Sequence, residues 1–121
     1  MDRLREIPRV RQDGPAEVRR RWFNAETADL YLWESADGLR GFEFCYGKPN
    51  HEHALIWSAT EGLRHARIDD GEAHAFEHCS PIAVADGAYD ADTVALELER
   101  LGANLEPPTF RAVLRLIHLG R

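Results

Sequence analysis

Hydrophobic and polar positions alternate along the middle of the chain, in the pattern of strands that bury one face of a sheet. Residues 29–35 and 39–46 are two such strands, separated by Ala36-Asp37-Gly38. Further strands are predicted at 53–59, which is apolar on both faces and suits the sheet interior, and at 63–68, which is more polar and suits an edge. The middle of the chain therefore predicts an antiparallel meander.

The tightest turn of this meander, Asp37-Gly38, sets which side chains meet across the first hairpin. An Asp-Gly pair adopts the positive φ angles of a two-residue loop. With that loop, Trp33 faces Phe42 and Tyr31 faces Phe44, so four aromatic rings share one sheet face. A three-residue loop would move one strand's side chains to the other face. The clustering of aromatic residues favours the two-residue loop.

The first 24 residues are less regular. Apolar residues spaced by three precede and follow Pro8, which argues against a helix and favours a strand near 4–11. Residues 13–15 (Asp-Gly-Pro) predict a turn. Residues 17–24 fit a strand or one short helical turn, and we favour the strand. A short strand is also predicted at 82–85.

Two helices are predicted at the C-terminal end. Asp90 is suited to cap a helix over 91–101, with Gly102 as a left-handed stop. Pro107-Pro108 opens the second helix and Gly120 ends it. The apolar stripes are Ala91, Val94, Leu98 and Leu101 in the first helix, and Phe110, Val113, Leu114 and Ile117 in the second.

Strands first and helices last indicate the α+β class. We predict an antiparallel β-meander of about four to six strands followed by two C-terminal helices packed on one face. At 121 residues the chain, 1–121, fits a single domain.

Composition is that of a globular protein, with 44% apolar and 30% charged residues. Apolar runs are too short for a membrane span. The N-terminal residues lack the apolar segment of a secretory signal, so a cytoplasmic location is expected. In that compartment Cys45 and Cys79 are expected to be free thiols.

Charge is unevenly distributed along the chain. Residues 1–21 carry a net charge of +3, and the other hundred residues carry −9. The run Arg19-Arg20-Arg21-Trp22-Phe23 interleaves bases with aromatic rings, as proteins that bind single strands do. Arginine outnumbers lysine 14 to 1, which resembles coding bias, and the acidic remainder can neutralise the run. The sequence therefore argues against nucleic acid as a partner, and Lys48, the only lysine, is expected in a solvated turn.

The histidines are the first candidates for chemistry, because imidazoles are common zinc ligands. His51 and His53 point the same way if their segment is extended, whereas His74 and His78 share a face only in a helix. No paired, regularly spaced ligand motif accompanies them. We therefore expect loop and edge-strand histidines and assign no metal site and no cofactor.

A second candidate is the acidic group Asp69, Asp70 and Glu72, with His65 upstream. These residue types can act as general acids and bases or hold a divalent cation. Neighbouring aspartates diverge in a strand, however, and Asp-Asp-Gly is ordinary turn chemistry. No catalytic residue is assigned.

The segments RRRWF, DLYLW, GFEFCYGKPNHEHALIW and GLRHARIDDGE resemble a group of small bacterial proteins with no assigned function, over residues 19–72. The resemblance implies a compact bacterial domain and supplies no catalytic residues.

The leading hypothesis is a non-enzymatic binding protein, with a protein partner or a second copy of itself. It rests on a sheet that is partly apolar on both faces, of which two short helices can cover only one. The alternative is a metal-dependent enzyme that uses a His/Asp cluster within residues 51–78.

Overall fold

The computed structural model describes residues 2–12, 14–48, 51–68, 83–85, 89–103 and 105–119. Its antiparallel sheet has seven strands in chain order, and two helices follow. The strands are β1 (Arg5–Glu6), β2 (Arg19–Asn24), β3 (Ala28–Ser35), β4 (Gly38–Tyr46), β5 (His53–Ser58), β6 (Gly62–Ile68) and β7 (Ala83–Ala85), and the helices are α1 (Ala91–Leu101) and α2 (Pro107–Leu119). The predicted α+β meander with two C-terminal helices is confirmed.

Both helices pack on one face of the sheet, as predicted. Apolar side chains from that sheet face and from the inner helix faces form one buried cluster. Its largest fully buried members are Leu4, Leu30, Leu32, Phe42, Phe44, Leu55, Leu98, Leu101, Val113 and Ile117. Each such side chain contributes about 1.5–3 kcal/mol when it leaves water. Neither helix of the described chain is long and apolar enough to cross a membrane.

The start of α1 follows the predicted capping chemistry, but its end does not. The Asp90 carboxylate accepts hydrogen bonds from the backbone N–H groups of Asp92 (3.1 Å) and Thr93 (3.3 Å). The predicted left-handed stop at Gly102 is wrong, because its φ is −105°. A Cβ at this position would lie 2.5 Å from the Phe110 ring. Glycine is needed here for close packing of the two helices. The predicted helix end at residue 120 lies outside the described residues.

The predicted hairpin pairs Trp33–Phe42 and Tyr31–Phe44 are wrong. The observed pairs are Leu32–Phe42, Leu30–Phe44, Tyr31–Glu43 and Trp33–Gly41. Phe42 and Phe44 are therefore in the core under the helices, whereas Tyr31 and Trp33 lie on the opposite face. The aromatic residues are divided between the two faces of the sheet.

A bulge in the hairpin causes this difference. Gly38, at φ +125°, pairs with Ser35, so Ala36 and Asp37 form the two-residue loop, and the predicted loop of Asp37 and Gly38 is wrong by one residue. The register then shifts between Trp33 and Glu34. Beyond this bulge the pairing is that of a three-residue loop, which turns one strand over relative to the other.

The ends of the sheet also differ from prediction. The strand expected near 4–11 is reduced to Arg5–Glu6, because the chain bends at Pro8 and Arg9. The strand favoured for 17–24 is confirmed as Arg19–Asn24. The expectation that 63–68 forms an edge is wrong, because β6 pairs with β7.

Candidate binding surface

Three aromatic side chains lie together on the sheet face opposite the helices, hereafter the aromatic face. Trp22 pairs with Tyr31 across β2 and β3, and Trp33 follows two residues after Tyr31 on the same side of β3. The ring centroids of Trp22 and Tyr31 are 5.8 Å apart, with an angle of 3° between the ring planes. Those of Tyr31 and Trp33 are 6.3 Å apart, with an angle of 25°. Tyr31 is buried between two half-buried indoles. The Arg20 guanidinium lies 5.8 Å from the Tyr31 ring centroid, within cation–π range.

A buried carboxylate fixes the first indole in position. Asp29 Oδ1 accepts hydrogen bonds from Trp22 Nε1 (2.9 Å) and from Asn24 Nδ2 (2.7 Å). Its Oδ2 forms an ion pair with Lys48 Nζ. Desolvation opposes the charge on Lys48, but its hydrogen bond and attraction to Asp29 prevail and raise its pKa. The expectation of a solvated Lys48 is therefore wrong, and the Trp22 side chain is held by a polar network.

Small residues make the aromatic face shallow beside the rings. A Cβ on Gly41 would lie 3.0 Å from the Trp57 carbonyl oxygen and 3.8 Å from Trp33 Cε3. The Trp33 indole therefore lies in van der Waals range of its cross-strand partner, and the tighter contact of an added Cβ would be with the Trp57 carbonyl. Further along the sheet, Cys45 and Ala54 are also small and almost fully buried. The second cysteine, Cys79, lies outside the described residues.

Charges of both signs surround the rings. The cations are Arg20, Lys48 and Arg64 and the anions are Asp29 and Glu43, a local net charge of +1. The whole chain carries −6. The aromatic face is thus nearly neutral on a strongly acidic protein, and charge does not prevent two such faces from meeting.

The run at 19–23 is divided between the two faces of the sheet. Arg21 is buried on the helix-covered face, where Glu6 binds it through two hydrogen bonds of 2.7 and 2.8 Å. This ion pair lowers the pKa of Glu6. Phe23 is in the core, and only Arg20 and Trp22 lie on the aromatic face. The alternation of side chains along β2 accounts for this division.

Two of the candidate histidines meet on the helix-covered face. The His53 and His65 rings are 5.4 Å apart and nearly parallel, and the Tyr46 hydroxyl lies 2.6 Å from His65 Nε2. Tyr89 contacts the His65 ring, while His51 contributes its backbone carbonyl to His53 Nδ1 at 2.9 Å. The nitrogen lone pairs of two stacked rings lie in separate parallel planes, so they do not converge on one metal ion.

The other candidates, His74, His78, Asp69, Asp70 and Glu72, lie outside the described residues. Within the residues that are described, no group of three or more histidine, cysteine or acidic side chains is placed to hold a metal ion. The hypothesis of a His/Asp cluster over 51–78 thus remains a prediction.

Sequence reasoning missed Asp29 and Lys48, the residues that hold the aromatic face in position. They are 19 positions apart in the chain and belong to no motif. The sequence offered one indication. Trp22 and Asn24 carry hydrogen-bond donors and Asp29 carries an acceptor, and all three lie on neighbouring predicted strands.

Comparison with protein-family models, curated proteins and solved structures gives no match for this chain.

Proposed function

We propose that this chain is a non-enzymatic binding protein that contacts a second copy of itself through the aromatic face. The observation that carries the proposal is the group formed by Trp22, Tyr31 and Trp33 on the sheet face that neither helix packs against. Tryptophan and tyrosine contribute more binding energy at protein interfaces than other residue types.

The face is ordered before any partner arrives. Trp22 is held by Asp29, and Trp33 lies against Gly41. Side chains that already occupy one conformation lose little entropy on binding, which favours association. Side chains that are fixed in this way are typical of a binding surface. Trp22 and Trp33 do not pack in the core under the helices, so holding them in place does not serve that core.

Charge supports a second copy as the partner. Because the face carries both Glu43 and the cations Arg20 and Arg64, two copies can place unlike charges opposite each other.

Light scattering coupled to size-exclusion chromatography tests the proposal. The wild-type chain is expected to show a concentration-dependent dimer, and Trp33→Ser is expected to weaken it about 30-fold, the effect of losing one central interface tryptophan. The matched control is Leu96→Ser on α1, where the leucine is 66% exposed and away from the aromatic face. Circular dichroism establishes that both variants fold.

A wild-type chain that remains monomeric at high concentration would refute self-association. A dimer that Leu96→Ser weakens as much as Trp33→Ser does would place the interface elsewhere.

A further inference from the structure

A groove runs along the outer side of β2, between that strand and residues 7–12. Its volume is about 600 Å³, and its charged lining consists of Glu6, Arg9, Arg19, Arg20 and Arg21. The segment touches β2 at both ends of the groove. At one end Ile7 donates its N–H to the Trp22 carbonyl at 2.8 Å, and at the other the Gln12 side chain bonds the backbone of Arg20.

The Gln12 side chain takes the place of a neighbouring strand residue at the edge of β2. Its amide accepts from the Arg20 N–H at 2.8 Å and donates to the Arg20 carbonyl at 2.9 Å, as a neighbouring peptide group would. The same side-chain nitrogen lies 3.0 Å from the Val10 carbonyl. The edge of β2 is thereby satisfied while residues 8–11 remain away from it.

The groove carries more positive charge than its own acid neutralises. Its four arginines and one glutamate give a net charge of +3. Both carboxylate oxygens of Glu6 are bound to Arg21, whose other partners, Glu34 and Glu106, do not line the groove. No ion pair within the described residues engages the other three arginines, Arg9, Arg19 and Arg20.

The exposed arginines of the groove are Arg9 and Arg19. Arg20 contributes to the lining, but its guanidinium lies over the Tyr31 ring on the aromatic face, away from the groove. Arg9 and Arg19 are both exposed, so a ligand in the groove can reach them.

We infer that this groove is a binding site for a phosphate group. Guanidinium groups match phosphate oxygens in geometry and bind them through paired, charge-assisted hydrogen bonds. Arg9 and Arg19, which no carboxylate of the described residues pairs with, suit the charge of a phosphate, and the side chains of Ile7, Pro8 and Val10 offer apolar contact to the carbon skeleton that carries it. The phosphate belongs either to a small ligand or to a single-stranded nucleic acid, and the experiment separates these sources.

The experiment measures binding of two probes to the full chain at low ionic strength. Inorganic pyrophosphate is titrated by calorimetry, and a fluorescein-labelled oligothymidylate by fluorescence anisotropy. The test variants are Arg9→Gln and Arg19→Gln, which lie outside the aromatic face. Arg115→Gln, an exposed arginine of α2, removes the same charge elsewhere and is the matched control.

Each test variant is expected to weaken binding about tenfold, and to lower the salt dependence of oligothymidylate binding by about one unit of slope. The control is expected to change affinity less than twofold. Pyrophosphate binding alone assigns a small phosphate ligand, and tighter binding of the oligothymidylate assigns a nucleic-acid strand. The inference is overturned if neither probe binds, or if Arg115→Gln weakens binding as much as Arg19→Gln does.

Discussion

Replacing Asp29 by asparagine tests whether the polar network holds the aromatic face in place. Asparagine has the same shape but no charge, so the variant loses the ion pair with Lys48. Its remaining oxygen can still accept from Trp22 or Asn24, while its NH₂ group becomes a second donor facing the ammonium. The variant therefore isolates the contribution of the charge.

The exposure of the two side chains sets the expected size of the effect. Asp29 is 12% exposed and Lys48 25% exposed, so the pair lies between the surface and the interior. Exposed pairs contribute less than about 1 kcal/mol, and breaking a fully buried pair costs about 3–5 kcal/mol. We expect Asp29→Asn to lower the free energy of unfolding by about 2 kcal/mol and Tm by about 8 °C.

Urea unfolding followed by circular dichroism and tryptophan fluorescence measures this change. Asp37→Asn, an exposed turn residue, is the matched control and is expected to change stability by less than about 0.5 kcal/mol. In a Lys48→Met background, Asp29→Asn is expected to cost about 1 kcal/mol less, because the ion pair is already absent.

The pH dependence of Lys48→Met gives an independent check. Since the folded-state pKa of Lys48 is raised above its ordinary value of 10.5, the stability that the pair contributes is present below that pH. It is lost as the pH rises through the folded-state pKa. The difference in stability between wild type and Lys48→Met is expected to shrink in strong alkali. Additive effects of the two substitutions, together with a pH-independent difference, would refute the argument.

Three further outcomes are expected. Gly102→Ala is expected to destabilise the protein by about 1–3 kcal/mol, because its Cβ would meet the Phe110 ring. The control is Gly14→Ala, where the added Cβ has open space around it, and equal thermal unfolding temperatures of the two variants would contradict the prediction. Glu6→Gln is expected to lose stability at neutral pH. The Glu6 pKa is lowered from 4.5 by its hydrogen bonds with Arg21, so the difference in unfolding free energy from wild type should disappear as the pH falls through the folded-state pKa. Urea titrations that show a constant difference down to strong acid would contradict this. Elemental analysis of untagged protein is expected to show no stoichiometric metal, and a bound zinc would favour the alternative of a His/Asp metal site.

Local sequence chemistry was enough to predict the helices. Asp90 caps α1 and the proline pair opens α2, and both elements begin where these residues place them. Capping and proline geometry act within one turn, so they can be predicted without knowledge of distant residues. Strand positions in the meander were also predictable, because alternation with period two is visible in the sequence itself.

The sheet register was not predictable from the sequence, because it depends on one bulge. A two-residue loop was predicted, but at Asp37-Gly38 and not at Ala36-Asp37, and the shift between Trp33 and Glu34 cannot be read from either residue. One residue of slip exchanges the two faces of a strand. The register shift therefore placed Phe42 in the core and Trp33 on the aromatic face.

Long-range polar contacts were likewise decided only by the tertiary structure. Asp29 lies in β3 and Lys48 in the turn after β4, and Glu6 reaches Arg21 only because β1 lies beside β2. Ion pairs of this kind follow from strand order, which local propensity does not encode. The sequence by itself determined which segments are strands and which are helices. The tertiary structure decided which side chains form the core, which form the aromatic face, and which arginines have no acidic partner among the described residues.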